Sequence, residues 1–323
     1  MLINGYIYHN GLILPASEAG ISVFSPGFLY GEGLFETLRV YGGHPFRLDD
    51  HLRRLRISAQ SLEIRVGEKN SRIAETIQDL LHLNNLSEAR VRISLVPGPE
   101  IRPVRRGKPA PGDLIITVTR YSPPRWIDRT GVSAIISSIR RNSLSPLPRW
   151  KTLNYLENRL ARREARDRNA DEAIFLDQKG LVTEGTVSNL FLVRKSALFT
   201  PPTQSPILPG ITREIVMELA SGLKIPCREK EIKTSDLHRA EEIFLTNSLI
   251  EIAPVIKIEG KTIGSGIPGP VTKKIQRSYH ELLQRNINKK QIRRYCTLGF
   301  STLNFVCSAL NYLIWTVNTL SKS

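Results

Sequence analysis

A chain of 323 residues and 36.4 kDa, 41% hydrophobic and 24% charged, can bury the core of one large or two ordinary domains, which excludes a disordered chain. Its three cysteines, Cys227, Cys296 and Cys307, are too few and too scattered for a disulfide framework or a cysteine-rich zinc site. The net charge of +16 raises nucleic acid or another anion as a ligand. However, half of it lies from Val271 onward, where nine basic residues accompany Glu281 alone.

The opening MLINGYIYHN has no basic segment followed by an apolar run, so no secretory signal is read and a cytoplasmic location is expected. Asn4-Gly5, Asn10-Gly11 and Gly42-Gly43 punctuate short half-buried runs and predict hairpins. Between them, Ser17 to Gly33 has the Gly-rich composition of a loop that lets backbone come close to a neighbour. Leu52, Leu55, Ala59 and Leu62 are spaced as one face of a helix starting at Leu48, with Asp49 and Asp50 in its first turn. A second helix is predicted over about Ser71 to Leu83, followed by the strand ARVRISLV. Five prolines among Arg102, Arg105, Arg106 and Lys108 make 97–112 a long exposed loop. After the strand DLIITVTR, Pro123 and Pro124 mark a linker.

The second half alternates GVSAIISSI (strand), Leu153 to Arg166 (helix), DEAIFLD (strand), a turn at Lys179-Gly180, and SNLFLV (strand). Then come ITREIVMELASGL as a helix closed by Gly222, the strand EEIFLTN, a hairpin at Glu259-Gly260, and a helix over about Val271 to Leu283. This order implies an α+β (mixed α/β) architecture. The predicted division is a smaller domain over 1–120, a linker over 121–129, a larger domain over 130–286 and an unassigned tail over 287–323. The tail carries no charge from Thr297 to Leu320, but Asn304, Asn311 and Asn318 recur every seven residues. An amphipathic or loosely ordered appendage is expected there, with membrane contact as the alternative.

No GxGxxG, P-loop or HExxH is present, and the six histidines are scattered, so no metal site is predicted. Two segments suit an anion. In PGITRE, Gly210 precedes a helix start at Ile211 and Thr212, and Thr246 to Ser248 ends a strand with hydroxyl and amide groups. An ordinary Pro-Gly turn is the simpler account of the first, and Thr183 to Asn189 reads as a polar turn. Spacing does not single out Lys151 among the 15 lysines.

Taken in order, FLYGEGLFETLRV, HLRRLRISA, KTLNYLENRLARREA, NADEAIFLDQKGLVTEGTVSNLFLV, LPGITRE and FLTNSLIEIAPV resemble the class IV aminotransferases, pyridoxal 5′-phosphate (PLP) enzymes of fold type IV, over about Ile3 to Leu283. The resemblance implies a two-domain fold with the cofactor between the domains, and a homodimer. It implies that Lys151 holds the cofactor and moves a proton at the substrate carbon, and that Glu184 faces the pyridine nitrogen. Arg54, Ile211, Thr212 and Ser248 are then the phosphate ligands, and Tyr155 stands near the ring oxygen. Arg53 is read as a solvated neighbour of Arg54. Tyr30 and Phe35 match positions of the pocket that takes a small amine substrate.

Three features point within the family to 4-amino-4-deoxychorismate lyase, which releases 4-aminobenzoate and pyruvate for folate synthesis: KTLN, LTNSLIEIAPV and GEGLFETLRV. Arg102, Arg105 and Arg106 are candidates for binding its carboxylates. The alternative is a branched-chain or other class IV aminotransferase. A basic nucleic-acid or membrane-surface protein is the reading from another class; it lacks a recognition motif, so no nucleic-acid partner is expected.

Overall fold

The computed structural model describes residues 5–98, 110–123 and 131–297. The first hairpin joins β1 (Tyr6–His9) to β2 (Leu12–Pro15). Its turn residues Asn10 and Gly11 have φ of 47° and 95°, the left-handed pair that a two-residue turn between twisted strands requires. A seven-stranded sheet follows from β3 (Leu34–Tyr41), β4 (His44–Pro45), β5 (Ile64–Arg65), β6 (Ala89–Pro97) and β7 (Ala110–Arg120), in the order β2-β1-β7-β6-β3-β4 with β5 on β7. A short helix α1 (Pro26–Tyr30) precedes β3, while α2 (Leu48–Ser61) and α3 (Asn70–Leu83) supply Leu52, Leu55, Ile73, Ile77 and Leu80 to the core against the sheet.

Strand β3 is covered on both faces. Leu34, Leu38 and Val40 alternate into the core shared with α2, and the same face carries Glu36, which is fully buried. Phe35 and Thr37 point the other way, into a cavity. On α2, His51, Arg54 and Leu55 fall at i, i+3 and i+4, so one helical face presents both a histidine and an arginine to Glu36.

The second sheet comprises β8 (Val132–Arg141), β9 (Glu172–Asp177), β10 (Leu181–Gly185), β11 (Asn189–Arg194), β12 (Ala197–Thr200), β13 (Cys227–Glu229), β14 (Ile232–Lys233), β15 (Glu242–Asn247), β16 (Glu251–Ile258) and β17 (Lys261–Thr262). Their order is β13-β12-β11-β15-β16-β8-β9-β10-β14, with β17 on β16, and its core is separate from the first. Helices α4 (Leu156–Asp167), α5 (Ile211–Gly222), α6 (Thr234–His238) and α7 (Pro270–Thr297), with short 3-10 turns at Ala16–Glu18 and Leu147–Arg149, complete the described elements. By contacts, Met1–Glu281 form one unit and Leu282–Ser323 another.

The expected strands and long helices are present, but the loop read over 97–112 gives up its ends to β6 and β7, where Pro97 pairs with Gly112, and the loop read over Ser17 to Gly33 contains α1. The stretch read as a polar turn, Thr183 to Asn189, overlaps the buried strand β10, which pairs to β9 through Val182 and Gly185 with a bulge between them. Helix α4 starts three residues later than expected, because the Leu153 N–H bonds the Gly33 carbonyl at 2.9 Å instead of entering a helix. Lys224, with φ of 57°, takes the left-handed position after α5, while Gly222 stays helical. Helix α7 runs to Thr297, since no Gly or Pro interrupts Leu283 to Thr297. The arginine-bearing part of the 97–112 loop, most of the expected linker, and 298–323 lie outside the described residues. Among the described residues no helix is long and apolar enough to cross a membrane.

One contact sets the position of Lys151. Leu34 and Thr152 form an isolated antiparallel bridge, in which the Phe35 N–H bonds the Lys151 carbonyl at 2.8 Å. Gly33 lets this approach happen: its φ is 150°, and a Cβ there would stand 2.8 Å from both the Leu95 carbonyl oxygen and a Leu153 methyl.

Candidate active site

The bridge delivers Lys151 into a cavity of about 800 Å³. Its amine lies 4.6 Å from the centre of the Phe35 ring. Burial first, and then the Arg54 and Arg92 charges, favour the neutral amine; Glu36 and Glu184 oppose this, and the lysine settles at about 8. Phe35 also meets Tyr155 edge-on at 5.4 Å and carries the Arg92 guanidinium at 3.9 Å on its ring.

At one end of the cavity stands Glu184, on β10. Its carboxylate accepts the Leu208 N–H at 2.9 Å and the Asn189 side-chain amide at 3.4 Å, and lies 3.6 Å from Arg141. Burial pushes it up to about 7 against Arg141, the Leu208 N–H and Lys151. A cationic N–H donor placed against this carboxylate would hold it ionised. Asn189 also binds the Leu208 carbonyl at 2.8 Å, and a Cβ on Gly210 would come within 1.9 Å of its side-chain oxygen. Glycine is required there by contact, since its φ is an ordinary −76°.

Gly210 is the N-cap of α5 and brings no capping side chain, while Ile211 and Thr212 are both buried. Buried first-turn N–H groups without a cap need an acceptor. Arg54 reaches the same turn through the Pro209 carbonyl at 2.8 Å and pairs with both oxygens of Glu36. These bonds engage three of its five donors, which leaves one on each terminal nitrogen. Ser248 and Thr246 also line the cavity, and the fully buried Thr246 hydroxyl has no partner among the described residues. This donor set fits a phosphate.

The structure therefore brings together Lys151, Arg54, Glu184, Tyr155, Ile211, Thr212, Ser248 and Phe35 around one cavity. The Tyr155 hydroxyl donates to the Thr186 carbonyl at 3.2 Å, and burial raises its pKa, so it stays protonated. Tyr30 is not among them in the single chain: the left-handed Gly31 ends α1, and Tyr30 is 74% exposed. Arg53 points outward and pairs with Asp50. Sequence reasoning missed Glu36, His51, Arg92, Arg141 and Asn189. The signal for the first was a glutamate at an apolar-face position of β3, with a histidine and an arginine three apart on the next helix.

A model for the family described as amino-transferase class IV matches residues 33–258. The chain belongs to the class IV aminotransferases. Enzymes of this class use PLP. The chain is 35% identical to a branched-chain-amino-acid aminotransferase of Salmonella typhimurium, over 86% of this chain and 92% of that one. It superposes on the crystal structure of the Escherichia coli branched-chain enzyme with a TM-score of 0.80, at 34% identity over 86% and 94% of the two chains. A Legionella pneumophila structure named "Putative 4-amino-4-deoxychorismate lyase" gives a TM-score of 0.76 at 30% identity, covering 81% and 95%.

The lowered pKa of Lys151 gives a direct expectation. Cofactor attachment, followed by its visible absorbance in stopped flow, accelerates as pH rises through about 8, where the amine loses its proton, and Lys151→Ala abolishes the signal. A rate that keeps climbing toward the ordinary lysine value of about 10.4 would contradict the assigned environment.

Proposed function

We propose that the chain is a PLP-dependent aminotransferase acting on a branched-chain or similarly aliphatic amino acid. The observation that carries this reading is the joining, in one cavity, of a neutral-leaning lysine, an acidic end at Glu184 and an anion-binding end at Arg54 and the start of α5. Lys151 would hold the cofactor, Glu184 its pyridine nitrogen, and Arg54, Ile211, Thr212 and Ser248 its phosphate, with Tyr155 along the ring. When bound, the cofactor supplies an electron sink for the carbon that loses its proton. Lys151 takes that proton on its amine and returns it, as a base with a pKa near the working pH does best. Phe35, Leu153 and Leu249 line the cavity as apolar wall for the substrate side chain, and Arg92 offers its carboxylate a fork of donors.

Lysis of 4-amino-4-deoxychorismate is the second reading, favoured by one further observation. Arg90 and Arg92 share a face of β6, both line the cavity, and neither has a carboxylate partner among the described residues. Burial first, and then Arg90, disfavour the Arg92 charge. Two neighbouring cations suit a ligand with two carboxylates, which that substrate has, as does a dicarboxylic oxo-acid acceptor. The Legionella neighbour and the LTNSLIEIAPV segment also support it.

Purified protein with PLP decides between the readings. Glutamate formed from leucine and 2-oxoglutarate supports the first; 4-aminobenzoate released from aminodeoxychorismate, without that transfer, replaces it by the second. In either case Arg92→Leu raises KM for the dicarboxylate by about 10- to 100-fold, as loss of a charged hydrogen bond does. An unchanged KM would remove Arg92 from the substrate site.

A homodimer is also proposed. Ile21, Val23, Phe24, Phe28, Leu29 and Tyr30 are exposed within ten residues, an apolar strip that a second copy of the chain would cover. Sedimentation equilibrium is expected to give twice the 36.4 kDa chain mass; a single-chain mass at micromolar concentration would refute the dimer.

A further inference from the structure

We propose that Glu36 and His51 are positioning residues for the phosphate end of the cavity, fixing the direction in which Arg54 presents its donors. This inference rests on the reading of that end as the cofactor's phosphate site. Glu36 accepts from Arg54 Nε at 2.8 Å and from Nη2 at 2.7 Å. Two parallel bonds to one carboxylate fix the plane of a guanidinium that would otherwise sample many rotamers. With Nη1 on the Pro209 carbonyl, the remaining donors are directed from a frame tied to both β3 and the turn before α5.

His51 holds Glu36 in turn. Its Nδ1 lies 2.7 Å from the second Glu36 oxygen, and both side chains are buried. Burial opposes ionisation of Glu36, yet Arg54 and His51 bring its pKa down to about 2, so the carboxylate only accepts hydrogen bonds. Burial keeps His51 neutral. Its proton is therefore on Nδ1, and its bare Nε2 accepts the Ser248 hydroxyl at 3.4 Å. Removing one partner of a buried ion pair also destabilises a fold, so the readout that isolates orientation is a ratio of affinities rather than stability.

Pyridoxal has the ring and aldehyde of PLP without the phosphate, so the ratio of the two affinities isolates the phosphate end. Fluorescence titration of Glu36→Gln and His51→Leu is expected to show that ratio falling about tenfold or more, with pyridoxal binding nearly unchanged. His51→Asn, whose amide nitrogen can donate from the place of Nδ1, should restore the ratio to within about threefold of the parent. An unchanged ratio, equal weakening of both ligands, or a His51→Asn as impaired as His51→Leu would overturn the proposal. If Glu36→Gln does not fold, the two His51 variants decide alone. A parent protein with no preference for PLP over pyridoxal would instead overturn the phosphate-end reading itself.

Discussion

The two faces of one strand organise this site. Strand β3 turns Glu36 toward α2, where it meets His51 and Arg54, and turns Phe35 toward the cavity, where it meets Lys151, Tyr155 and Arg92. Its first residues also accept the Lys151 segment as a short antiparallel partner through Gly33 and Phe35. A strand alternates with a period of two, so the backing of the anion end and the wall of the amine end share one register. A slip by one residue would send Glu36 to the cavity and Phe35 to the core, losing both ends together.

Electrostatics then separates the roles of the charged groups. Arg54 and Glu36 neutralise each other behind the cavity, so the pair keeps its charges in spite of burial. Glu184 and Lys151 lack so close a partner and are both pushed toward their neutral forms, to about 7 and about 8. Groups poised in this way near neutral pH can exchange protons at little cost, whereas the Arg54–Glu36 pair cannot. The anion end is therefore fixed in charge, and the acid and amine ends respond to what binds.

Much of this was legible in the sequence. The hairpins, α2, α3 and the strands of both sheets followed from turn residues and apolar period, and the family resemblance selected Lys151, Arg54 and Glu184 where spacing could not. Strand β10 was hidden because LVTEG carries a glutamate and ends in glycine, which read as turn chemistry; its pairing to β9 is a local hairpin whose register a bulge interrupts between Val182 and Gly185. Glu36 and His51 were hidden because periodicity counts apolar positions and discards polar ones, although a carboxylate on a core face is informative for that reason. Tyr30, matched to the pocket by its motif, stands outside the cavity of the single chain, where the end of α1 at Gly31 leaves it exposed. Helix α7 outran its expected end at Leu283 because no Gly or Pro stops it before Thr297.

The central claim is that this chain presents one particular lysine, Lys151, to PLP. Borohydride reduction of the PLP-loaded protein, followed by proteolysis and mass spectrometry, tests it most directly. The account predicts the cofactor's mass on the peptide containing Lys151 and on no other lysine at stoichiometric yield. The mass on a different lysine, or on none, would contradict it.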